Sequence, residues 1–136
     1  VINPETAGKE RTQLSKAIVL ALRELIRQPE PNNASRDLAA FIALALKSID
    51  ETIDSSVTAW EKRGYWVKAD QFRMAWAWAG QTSSLMQQAI LAEDWAAVAQ
   101  QAVKVGQKLG DVKLPQRHRL GTPWEGAYVQ LRKQVG

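Results

Sequence analysis

The stretch Asn33–Gly64, NASRDLAAFIALALKSIDETIDSSVTAWEKRG, decides the fold. At about 3.6 residues per turn, Leu38, Ile42, Ala45, Leu46, Ile49, Ile53 and Trp60 share one face. Asp50, Asp54 and Glu61 lie on the opposite one. Such a stripe predicts a helix that begins near Asn33 or Ser35, reaches about Arg63 and buries one side. Lys62 and Arg63 then precede Gly64. A cationic last turn followed by glycine is the expected way for a helix to end. A helical hairpin at Gly64 is the expectation, and one continuous rod through Gly64 is the alternative.

Upstream, Pro29 and Pro31 break a first helix that spans about Pro4 or Thr6 to Arg27, with Asn3 as a candidate cap. Its inner face is Leu14, Ile18, Ala21, Leu22 and Leu25, with Lys16, Arg23 and Arg27 opposite. Downstream, a third helix over Tyr65–Ala92 is apolar on two sides. Tyr65, Ala69, Phe72, Trp76 and Ile90 form one face; Val67, Met74, Trp78, Leu85 and Ala92 form nearly the opposite one. A helix of that kind lies at the centre of its bundle or holds a second partner. Trp60 and Tyr65 belong to inner stripes, which leaves Trp66 as the aromatic most open to a partner or ligand.

Asp94 is the natural cap of a fourth helix ending near Leu109. Its inner face contains Ala99, Ala102 and Gly106, small enough for a neighbouring helix to come close. A basic loop over 113–121 follows. Thr122-Pro123-Trp124-Glu125 then reads as a capping box opening a short fifth helix, weakened by Gly126 and spaced by Trp124, Ala127, Tyr128, Leu131 and Val135. The fold class is therefore all-α: an antiparallel up-and-down bundle of four main helices plus a short C-terminal helix. Residues 1–110 form the bundle, and residues 111–136 form a basic loop and helix packed on the same domain.

Length and composition narrow the chemistry. The 136 residues suit one domain. There is no cysteine, which removes disulfides, thiolate zinc sites and cysteine nucleophiles. The net charge of +4 is uneven: residues 1–100 carry 11 basic and 12 acidic side chains, residues 101–136 carry 7 and 2. A uniformly basic nucleic-acid coat is therefore disfavoured, while a local anion contact through Lys113, Arg117, His118 and Arg119 stays open. The longest apolar run, Leu38–Leu46, falls well short of the roughly 20 residues of a bilayer span. With no leader pattern at the start, the expectation is a cytoplasmic protein without a membrane span.

Catalytic constellations are thin. The lone His118 lies in the basic loop, away from any Glu-x-x-His pair or serine-based triad, so no cofactor, metal or catalytic residue is assigned. Asp50, Glu51 and Asp54 form an acidic cluster that could in principle hold magnesium with Glu61 or Glu93-Asp94, but it lies on the helix face opposite the apolar stripe, and a solvated acidic face is the expected reading.

The stretches AWEKRGYWVKADQFR (59–73) and PQRHRLGTPWEGAY (115–128) resemble small all-helical proteins of cyanobacteria, a resemblance that brings no activity or site residue with it. The leading expectation for function is a non-enzymatic association or adaptor protein. Its contact face would be Val67, Met74, Trp78 and Leu85, meeting a second copy or another protein. The alternatives are anion or nucleic-acid binding by the basic segment, and a small-molecule or metal-dependent hydrolase site on the acidic cluster.

Overall fold

A computed structural model describes residues 4–115 and 117–135, with side chains from Thr6 to Gln134 apart from Gln116. Asn3 as a cap, and the Val135 side chain of the tail stripe, lie outside that part. The helices are α1 (Pro4–Ile26), α2 (Asn33–Lys62), α3 (Trp66–Leu91), α4 (Trp95–Lys108) and α5 (Ala127–Val135). No strand occurs among the described residues. The fold is all-α, four main helices running up and down plus a short C-terminal one.

Local backbone devices set the boundaries. Asn32 caps α2, its side chain accepting the Ser35 N–H at 2.8 Å. At the other end Gly64 takes φ +81°, the Gly64 N–H donates to Glu61 O at 3.0 Å, and the Tyr65 N–H donates to Trp60 O at 3.0 Å. That two-bond left-handed terminator turns the chain back. The hairpin at Gly64 therefore stands, and the continuous rod does not. Between α3 and α4 the same device recurs without glycine. Glu93 sits at φ +55°, and the Glu93 and Asp94 N–H groups donate to Ile90 O and Ala89 O. The next residue, Asp94, caps α4 by accepting the Ala97 N–H at 3.1 Å.

The central helix is α2, against which α1, α3 and α5 all pack. Leu38, Ile42, Leu46 and Ile49 are fully buried, and so are Ala39, Ala40 and Ala43 on the flanks of the stripe. The alanines let neighbours approach on more than one side, which is how α2 holds three partners at once. Of the two meanings of the double-faced α3, central position thus falls to α2, and the second face of α3 turns outward.

Two polar ties cross the core. Ser83 on α3 donates to Ala43 O on α2 at 2.6 Å. Arg11 on α1 donates to Thr52 Oγ1 at 3.0 Å and Ser56 Oγ at 3.5 Å on α2. Its guanidinium also stands 4.8 Å from the Phe72 ring and 5.7 Å from the Trp76 ring on α3. Burial pulls the Arg11 pKa below the ordinary arginine value, yet the group keeps its charge at neutral pH.

The tail corrects the sequence reading. Thr122–Gly126 is a turn rather than the first turn of α5: the Glu125 N–H donates to Thr122 O at 3.3 Å and Gly126 takes φ +80°. The cap comes from elsewhere. Asp37 of α2 accepts the Gly126 N–H at 3.2 Å and the Tyr128 N–H at 3.0 Å. Ala127 and Leu131 are buried, and the Arg36 and Arg132 guanidinium groups stand 5.7 and 5.9 Å from the Tyr128 ring.

Candidate functional site

The outward face of α3 bears three of the four expected contact residues. Val67 is 72% exposed, Met74 77% and Leu85 47%. Trp78 is the exception, buried within the chain and withdrawn from any partner. Its ring stacks on Trp76 with centroids 6.0 Å apart and planes 23° apart. Residues two apart on a helix diverge by about 200°, yet Trp78 lies in the core and Trp76 packs against it, so the two long side chains meet there. Helical angle alone puts Trp78 beside Met74 and Leu85; a flexible indole reach takes it inward.

Trp66 is exposed, as expected. Tyr65 is exposed too, which corrects its placement on an inner stripe: it occupies the cap position before α3, where the hairpin turns it outward. Trp60 is half-buried, edge-on to Phe72 at 5.0 Å and under the Lys68 ammonium at 5.6 Å. One signal in the sequence went unused. Residues 74–92 contain no Asp, Glu, Lys or Arg, so the solvent side of α3 over Met74, Gln81, Leu85 and Gln88 is exposed without a charge.

The other candidate residues lie apart from this face. Lys113, Arg117, His118 and Arg119 are exposed on the irregular segment between α4 and α5, and among the described residues none pairs with a carboxylate. His118 Nδ1 accepts the Leu120 N–H at 3.4 Å, a local turn contact. On the α2–α3 flank, Asp50 and Asp54 line a shallow cleft with Arg73, Gln81 and Ser84, and Glu51 is not part of it. Partial burial first, then repulsion from Asp54 and Glu51, raises the Asp50 pKa above the usual carboxylate value. The remaining acids are engaged elsewhere: Glu61 with Arg73 at 3.7 Å, Glu93 with Arg36 at 2.7 Å, and Asp94 as a cap. Among the described residues, no group of three or more His, Cys, Asp or Glu side chains is placed to hold a metal ion.

A second concavity is one that sequence reasoning did not find. Because α1 and α4 barely meet, a groove of about 480 Å³ opens between them. Val19, Leu22 and Ile26 form one wall, and Ala99, Ala102 and Gly106 form the other. The close helix approach expected at those small residues does not occur. A Cβ built on Gly106 would meet nothing within 4 Å.

No helix among the described residues is long and apolar enough to cross a membrane. Comparison of the chain with family models, with curated proteins and with solved structures returned no match.

Proposed function

We infer that this protein works by association rather than catalysis, pairing with a second copy of itself through the outward face of α3. The observation that carries this is the exposed line Val67–Met74–Leu85 on a helix whose residues 74–92 hold no charge. From Val67 to Leu85 the line extends about 27 Å, close to the length of a small two-helix seam. Interface cores are depleted of charge and enriched in methionine and aromatics, and Trp66 adds an exposed aromatic at one end. Another protein bearing an apolar helix is the alternative occupant.

Sedimentation velocity of the full chain over a concentration series tests this. The expected species is about twice the 15.2 kDa chain, falling to monomer when Met74→Glu and Leu85→Glu are combined. A wild-type monomer throughout removes self-association, and an unchanged mass in the double variant moves the interface off α3.

A second reading rests on the exposed, carboxylate-free cations of the segment after α4. If it binds a polyanion, affinity for a DNA duplex falls as salt rises, and the Lys113→Gln, Arg117→Gln, Arg119→Gln combination flattens that dependence. Equal binding by wild type and variant ends this reading.

A further inference from the structure

We propose that the groove between α1 and α4 is a binding site for a single-chain aliphatic carboxylate, its alkyl tail along the groove and its carboxylate at Arg23. The volume, about 480 Å³, lies in the range of small-molecule sites. The lining is aliphatic or glycine throughout except for Arg23, the one charged side chain on its wall. Arg23 is exposed and, among the described residues, pairs with no carboxylate. One cation facing an apolar trough calls for one negative charge on an apolar body. A guanidinium fork matches a carboxylate in geometry as well as in charge.

Two further observations point the same way. Gly106 sits inside α4, where glycine costs about 1 kcal/mol relative to alanine, yet among the described residues no neighbour uses the space it leaves. Ile26, 81% exposed, and Val103, 61% exposed, also belong to the groove lining, so an alkyl tail would cover surface now left to water. A partner helix fits less well. The α1 wall, Val19 to Ile26, is about two turns or ~10 Å long, too short to supply the roughly 1,000 Å² of a specific protein interface.

Calorimetric titration of the full chain with decanoate, below its micellar range, tests the site. The expected result is saturable one-to-one binding. Arg23→Gln should weaken decanoate about threefold to fivefold while leaving decanol binding unchanged. Gly106→Leu fills open space and improves the helix, so it should keep the melting temperature or raise it while abolishing both ligands. Absence of saturable decanoate binding to the wild type overturns the proposal. So does wild-type decanoate affinity in either Arg23→Gln or folded Gly106→Leu. Loss of self-association in Gly106→Leu, with no decanoate bound by the wild type, would assign the groove to a second copy and overturn it as well. These variants leave α3 untouched, so their outcome is independent of the association face.

Discussion

Asp50 of α2 and Gly80 of α3 meet at close quarters. A Cβ built on Gly80 would stand 2.8 Å from the Asp50 carboxyl carbon and 2.8 and 2.9 Å from its two oxygens. A Cβ there would have to displace the Asp50 carboxylate, while the glycine's own backbone is ordinary helix. Gly80→Ala therefore sets about 1 kcal/mol of helix propensity against displacement of the carboxylate. We expect that gain to be at least about 0.5 kcal/mol larger in an Asp50→Ala background than in the wild type, read from urea denaturation of the four chains. The same carboxylate gives a pH signature. Its folded pKa is raised, by partial burial first and by Asp54 and Glu51 second. The folded state then holds the proton more tightly than the unfolded chain. Stability from this group is complete below the ordinary carboxylate range and is lost as pH rises through the raised value. Asp50→Asn should raise the melting temperature at neutral pH and leave it unchanged in acid; a larger effect in acid would reverse the assigned sign.

At the scale of elements, α5 depends on a residue 89 positions away, since Asp37 caps it from α2. Asp37→Ala should remove about 0.5–2 kcal/mol of stability from α5. Hydrogen exchange at Gly126 and Tyr128 would accelerate while the amides of α3 keep their protection; uniform acceleration would mean α5 is not a separate unit. Element boundaries were legible wherever their cause lay within one turn. Asn32, Gly64 and Asp94 terminate or start helices through their own side chains or backbone freedom, and the sequence reading found or bracketed each end. Two devices were hidden. Glu93 adopts the left-handed position that usually belongs to glycine, with an Arg36 pair on its side chain. The Thr122–Glu125 pattern has the composition of a capping box, but Gly126 at positive φ interrupts it before the helix forms.

In the whole molecule, the decisive fact is unequal helix length around a central α2. At 14 residues α4 is about 21 Å long against about 39 Å for the 26 residues of α3, so it meets α1 only sparsely and leaves a groove. The core and the exposed face of α3 can be separated by substitution. Trp78→Ala should cost about 3–5 kcal/mol, as for other buried aromatics, whereas Met74→Glu should change monomer stability by less than about 0.5 kcal/mol. Chemical denaturation of both variants checks this, and similar costs would return Trp78 to the surface. Periodicity, caps and the proline break at 29–31 were enough by themselves to determine an all-α chain of four long helices and a short fifth, because those forces act within a turn or two of the backbone. Which helix lies at the centre, where Trp78 turns, what caps α5 and where the bundle stays open were decided only by tertiary structure. Each depends on the reach of a side chain toward an element far away in sequence, and helical spacing carries no record of that.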